Sequence, residues 1–174
     1  MFAAFPLANP VMKFARRYNG EFEIVIRLAV AADENDIRTC AEDAYTRYIA
    51  VIGRRPAPMD ADFAAQIAAG HIHVSTGPAG ELQGFIVFFV ENDHLMLENV
   101  AAMPAAAGKG IGKTLIGFCE DEARRLGLST VQLYTNEKMA ENLSIYPRLG
   151  YVEIDRRTEN GFNRVYFEKR LGLA

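Results

Sequence analysis

From residue 99 to residue 113 the chain reads Asn-Val-Ala-Ala-Met-Pro-Ala-Ala-Ala-Gly-Lys-Gly-Ile-Gly-Lys. Strand-like apolar residues give way to small ones, and Gly108, Gly110 and Gly112 fall at every second position. A helical apolar pattern begins at Ile111. Glycine admits positive φ and lets the backbone come close to a ligand. The unpaired N–H groups at a helix start point outward, and the helix dipole favours an anion there. The segment therefore reads as a cradle for phosphate oxygens, built from the main chain of Gly108, Lys109, Gly110, Ile111, Gly112 and Lys113. The two lysines add charge. A tight strand-to-helix turn without a ligand is the alternative use of the same glycines.

Two well-known phosphate loops fit poorly. The P-loop needs G-x-x-x-x-G-K-[ST]; Gly112-Lys113-Thr114 supplies its end, but Ala107 stands where its first glycine belongs. The dinucleotide pattern G-x-G-x-x-G fails at Lys113 when started from Gly108, and at Leu115 when started from Gly110.

These residues must be positioned by regular elements. Glu21 to Val30 alternates as a strand. Asp33 or Asn35 caps a helix reaching Ile52, with Ile37, Ala41, Ala44 or Tyr45, Tyr48 and Ile52 at helical spacing. Gly53 to Pro58 breaks it. Asp60 starts a short helix through Ile67. Three strands follow, His71–Ser75, Leu82–Val90 and Leu95–Ala102, joined by connections short enough for an antiparallel meander. Ile111, Leu115, Phe118 or Cys119, Ala123 and Leu126 form the stripe of the clearest helix, which Gly127 ends. Val131 to Thr135 is a strand, Glu137 to Leu149 a helix interrupted near Pro147, and Tyr151–Asp155 and Phe162–Phe167 complete the sheet. A strand–helix–strand unit inside an antiparallel run implies a mixed α/β (α+β) sheet with helices on both faces.

With the elements in this order, the glycine run resembles the acetyl-coenzyme A loop of the GNAT superfamily of N-acetyltransferases, written Q/R-x-x-G-x-G/A. Gly110 and Gly112 take its glycine positions, and Ala107 stands where the family commonly has Gln or Arg. Asn142-Leu143-Ser144-Ile145-Tyr146-Pro147-Arg148-Leu149-Gly150-Tyr151 resembles the family's later signature, a tyrosine followed by x-x-Leu-Gly-aromatic. The family often has Asn seven positions before that tyrosine, where this chain has Met139; Asn142 is carried over as a cofactor contact. The resemblance covers roughly residues 82 to 170.

What it implies is a mostly antiparallel sheet with one splayed parallel pair, here Leu95–Ala102 and Val131–Thr135. Acetyl-CoA would be the cosubstrate, without a metal. Ala107 to Lys113 would line its phosphates, and pantetheine would bond to backbone near Val100 and Ala102. The acceptor would be an amine, attacking directly in a ternary complex. An alkylamine has a pKa of about 10 and must lose a proton. Glu98 is the candidate base through water, on the face of Val100 and Ala102 if the strand alternates regularly. Tyr146 is the candidate donor to the leaving thiolate. Tyr45, Tyr48, Arg54 and Arg55 are candidates for the acceptor side. Each of these has a plainer reading, as a salt-bridged glutamate, a core tyrosine or surface arginines.

The whole chain bounds the choices. Its 174 residues suggest one domain, 21–174, behind an N-terminal arm over residues 1–20, whether a flexible segment, an added edge strand, a transit peptide or the product of an early start site. The net charge of −3 gives no general attraction to nucleic acid or anionic lipid, so neither is an expected partner; a homodimer stays open. No apolar run is long enough to span a membrane. Cys40 and Cys119 lie far apart, in no ligand spacing, as reduced thiols of a cytoplasmic protein would. His71 and His73 read as a strand pair rather than half a metal site. The rivals on the same residues are a nucleotide-binding P-loop-like module, a non-catalytic coenzyme A-binding domain and a dimerisation domain.

Overall fold

A computed structural model describes residues 14–18 and 22–172 of the chain. Part of the expected arm, residues 1–13 and 19–20, lies outside them. Strand β1 (Phe14–Tyr18) pairs antiparallel with β2 (Phe22–Leu28). The chain then runs through α1 (Glu34–Tyr45), α2 (Ile49–Ile52), α3 (Phe63–Ala68), β3 (Ile72–Thr76), β4 (Leu82–Glu91), β5 (His94–Ala102), α4 (Ile111–Arg125), β6 (Thr130–Asn136), α5 (Ala140–Arg148), β7 (Val152–Glu159) and β8 (Phe162–Arg170). One eight-stranded sheet results, in the order β1-β2-β3-β4-β5-β6-β8-β7. Every described neighbour pair is antiparallel except β5 and β6.

Helices cover both faces. On one, α1 and α3 bury Ile37, Ala41, Tyr45 and Phe63 against Val74, Phe85 and Val87. On the other, α4 and α5 bury Ile111, Leu115, Cys119 and Tyr146 against Ile86, Leu97, Leu133 and Phe167. The α4 stripe is as its spacing requires as far as Ala123. Leu126, the expected last member, falls at the cap and is exposed. Arg124 and Arg125 occupy the last turn and no acid occupies the first, so the charges suit the dipole at the C-terminus and leave its positive end uncompensated.

The early helix departs from expectation. A 3₁₀ turn at Thr46–Tyr48 separates α1 from α2, so the predicted single helix is two. Asp33 does not cap α1. Its carboxylate takes two hydrogen bonds from Arg27, at 2.7 and 2.8 Å, and one from the Val30 N–H, and Arg27 holds its pKa below the usual carboxylate range.

Two irregularities open the sheet. β5 and β6 pair only at Leu95–Val131, Met96–Gln132 and Leu97–Leu133, after which they part. The ladder between β4 and β5 slips in the same place: Phe88 faces Leu97 and Val87 faces Asn99, leaving Glu98 as an extra residue. A bulge of this kind bends the strand and re-aims its side chains.

Candidate active site

The slip at Glu98 corrects the expectation of regular alternation. Leu95, Leu97, Val100 and Ala102 pack toward the α4–α5 face. Glu98 instead turns to the other face, where its Oε2 accepts a hydrogen bond from Gln66 Nε2 of α3 at 2.5 Å. Asn99 points the same way, its Oδ1 accepting from the Tyr45 hydroxyl at 2.7 Å. The bulge thus places two consecutive polar side chains on the α1–α3 side, while Val100 and Ala102 keep the opposite face.

Where β6 leaves β5, a cleft opens between the end of β5, the first turn of α4 and the helix α5. Val100, Ala102, Gly112, Lys113, Asn142 and Tyr146 are among its walls. A narrow cavity lies beyond, lined by Glu98, Asn99, Tyr45, Tyr134 and Arg164. Val100, Asn142 and Tyr146 line both, so the two spaces share one wall. A larger hollow continues outward past Glu98 to Gln66 and Asp62.

The glycine loop enters α4 with Gly108 at φ +78 and Gly110 at φ +70, a conformation that L side chains rarely adopt. Gly110 sits at the helix cap without a capping side chain. The Ala107 amide is bonded to the Pro104 carbonyl at 3.1 Å and the Lys109 amide to the Ala106 carbonyl at 3.3 Å, so these two turn inward. Among the described residues, the N–H groups of Gly108, Gly110, Ile111, Gly112 and Lys113 have no acceptor. A Cβ built at Gly108 or Gly112 meets nothing within 4 Å. Open space in front of unmatched donors is what an anion with several oxygens requires.

Tyr146 is buried, its ring set between those of Tyr151 at 6.0 Å and Phe167 at 5.7 Å. The turn after α5 fixes its backbone, since the N–H groups of Leu149 and Tyr151 both donate to the Tyr146 carbonyl. Its hydroxyl makes no hydrogen bond among the described residues. Burial, helped by the nearby Tyr48 phenol, pushes its pKa up to about 12, so the proton stays on oxygen at neutral pH. Asn142 donates from Nδ2 to Thr135 Oγ1 at 3.1 Å, tying α5 to β6 at the mouth of the splay.

The expected acceptor-side residues divide. Tyr45 lines the cavity. Tyr48 is turned to Arg47, which donates to its hydroxyl at 2.9 Å. Neither arginine is a cavity wall. Arg54 lies 3.9 Å over the Phe162 ring and donates to the Asn160 carbonyl at 3.1 Å, and Arg55 is paired with Glu42 and Asp60. Carboxylates and a ring within reach settle the arginines away from the site. Sequence reading missed Tyr134 and Arg164. Both stand on the β6–β8 ladder, where Tyr134 faces Tyr166 and Asn136 faces Arg164. Alternation along β6 would have found Tyr134, because Val131, Leu133 and Thr135 are the buried set and Tyr134 must face the other way. Arg164 donates to Glu159 at 2.8 Å and lies 4.3 Å over the Tyr134 ring.

The remaining candidates have structural settings. Cys40 and Cys119 are buried and unpaired, and burial raises both thiols. His73 stacks on Phe88, and the His71 ring lies tilted against that of Phe89. Among the described residues, no helix is long and apolar enough to cross a membrane.

Comparison with known proteins places this geometry. The model of the acetyltransferase (GNAT) family matches residues 35–151. Streptothricin acetyltransferase of Streptomyces lavendulae is 31% identical over 80 residues, 45% of this chain and 42% of that protein, so the chain spans about two fifths of that relative's length. The crystal structure of the ribosomal-protein-S18-alanine N-acetyltransferase of Escherichia coli superposes with a TM-score of 0.69 at 18% identity, covering 87% of this chain and 96% of that one. That of PaiA N-acetyltransferase of Thermoplasma acidophilum, in complex with coenzyme A, also has a TM-score of 0.69 at 18% identity, covering 84% and 98%. These two likenesses establish the fold.

Proposed function

Because the chain belongs to the acetyltransferase (GNAT) family, we propose that it moves an acetyl group from acetyl-CoA to a primary amine by direct attack in a ternary complex. The observation that carries this reading is the shared wall. A cleft ending at unmatched loop amides and a cavity holding a carboxylate meet at Val100, Asn142 and Tyr146.

When bound, acetyl-CoA supplies an acetyl group activated as a thioester. The amides of Gly108 and Gly110 to Lys113 hold the pyrophosphate, with the dipole of α4 behind them. Pantetheine follows β5 where β6 has left it, using backbone groups of Val100 and Ala102 as a paired strand would. The Val100 carbonyl accepts from the Tyr45 hydroxyl at 3.0 Å with one of its two lone pairs, and beside it stand the N–H groups of this edge. One of them polarises the thioester carbonyl, and the small side chain of Ala102 leaves the acetyl group room.

Glu98 stands on the far side of the shared wall. One oxygen is held by Gln66 and the other makes no hydrogen bond among the described residues. It takes the amine's proton through water. Tyr146 donates a hydrogen bond from its hydroxyl to the sulfur as the thiolate leaves, and its raised pKa keeps the proton on the phenol oxygen throughout. The acceptor enters through the Tyr45, Tyr134 and Phe162 side of the cavity. One relative is named for streptothricin and another for an alanine of ribosomal protein S18, so the shared chemistry is a primary amine on a small molecule or a peptide.

Thiol release from acetyl-CoA tests the proposal with a panel of primary amines that includes streptothricin and an alanine-first peptide. Amine-dependent release that disappears in Glu98→Gln supports it. Binding of acetyl-CoA with no release across the panel would leave a coenzyme A-binding domain without transferase activity.

A further inference from the structure

We propose, resting on the reading above, that Lys113 and Arg148 form a second anion site, for the 3′-phosphate of coenzyme A. The protein then distinguishes coenzyme A from its 3′-dephospho form.

Coenzyme A carries two separate phosphate groupings, and the loop amides account for one of them. Beyond the cleft a second space opens along α4. Lys113, Ile116, Arg148 and Leu149 line both spaces, so the second is a continuation of the first past the helix start. An adenosine leaving the loop has this space before it. Lys113 comes from the first turn of α4 and Arg148 from the last turn of α5, so the two cations border the passage from different helices.

The charge pattern singles Arg148 out. Nearly every arginine whose side chain is described is held by a carboxylate: Arg27 by Asp33, Arg38 by Glu34, Arg47 by Glu141, Arg125 by Glu122, Arg164 by Glu159, and so on. Arg54 has the Phe162 ring and a carbonyl instead. Arg148 has only the Ser144 hydroxyl, at 2.9 Å on its own helix. Lys113 makes no ion pair among the described residues. The acid lining this space, Glu120, is already satisfied, both of its oxygens 2.9 Å from Lys169 Nζ and one of them accepting from Tyr151. Among the described cations, Lys113 and Arg148 thus belong to the few without a carboxylate partner, with Arg54 and Lys138, and Lys113 and Arg148 border the same space. A guanidinium fork matches a phosphate dianion better than it matches water.

Calorimetric titration of coenzyme A and of 3′-dephospho-coenzyme A into the full chain tests the site without an acceptor. The wild type should bind coenzyme A at least about tenfold more tightly than the dephospho form. Arg148→Ala should remove most of that ratio while leaving the dephospho affinity within about twofold, Lys113→Ala should reduce the ratio, and Arg148→Lys should restore part of it. Equal affinity of the wild type for the two compounds overturns the site, as does Arg148→Ala weakening both alike. Affinity for neither compound would instead remove the acetyltransferase reading, and this site with it.

Discussion

The Tyr45 hydroxyl lies 2.7 Å from Asn99 Oδ1 and 3.0 Å from the Val100 carbonyl, so one phenol of α1 holds two consecutive residues of β5 just past the bulge at Glu98. Tyr45 and Asn99 are both buried. The contact joins the acceptor side of the molecule to the strand edge that pantetheine is proposed to follow.

Tyr45→Phe deletes the donor and leaves Asn99 Oδ1 buried without a partner. A loss of about 1–3 kcal/mol in unfolding free energy is expected, read from urea denaturation. An unchanged midpoint would mean that Asn99 finds another donor and that the bulge holds without α1.

Tyr146→Phe keeps the ring between Tyr151 and Phe167 and removes only the hydroxyl. With an amine acceptor found by thiol release, kcat should fall by about tenfold to a hundredfold, and the Kd for acetyl-CoA should change by less than about twofold. Unaltered turnover would take the hydrogen-bond donor role from Tyr146.

His73 provides a pH signature of the fold. Burial between Phe88 and Phe118 lowers its pKa from 6.5 to about 4, opposed in part by Glu122. The unfolded chain therefore binds a proton at this residue that the folded chain refuses. The residue costs nothing above pH 6.5 and erodes stability as the pH falls toward 4. The full loss is about 3 kcal/mol. His73→Phe should flatten that part of the stability curve relative to the wild type; parallel curves over the interval would contradict the assignment.

Much of this arrangement was legible in the chain. The glycine spacing, the α4 stripe and the Tyr146-to-Tyr151 signature are local patterns, and the strand–helix–strand unit required one parallel pair in an antiparallel sheet. What escaped depends on contacts far apart in sequence. The bulge at Glu98 is a slip between two strands, and nothing in the period of β5 announces it. The diversion of Asp33 from capping to Arg27 is a competition between two donors, which the fold decides. Arg54 looked available for an acceptor because sequence does not show that Phe162 passes beneath it. Arg164 escaped for the same reason, since its place in the cavity follows from the pairing of β6 with β8.

The central claim is that the amides of Gly108 and of Gly110 to Lys113 hold the pyrophosphate of acetyl-CoA, and Gly112→Glu tests it most directly. A Cβ added there meets no atom within 4 Å, and an acid in the first turn of α4 should stabilise the helix by about 0.3–1 kcal/mol. It also puts a negative charge where the phosphates belong. The measurement is the calorimetric Kd for acetyl-CoA, taken alongside the melting temperature. The account predicts that the wild type binds, and that the variant melts no lower yet loses about a hundredfold or more in affinity. A well-folded Gly112→Glu protein that binds acetyl-CoA like the wild type would contradict it.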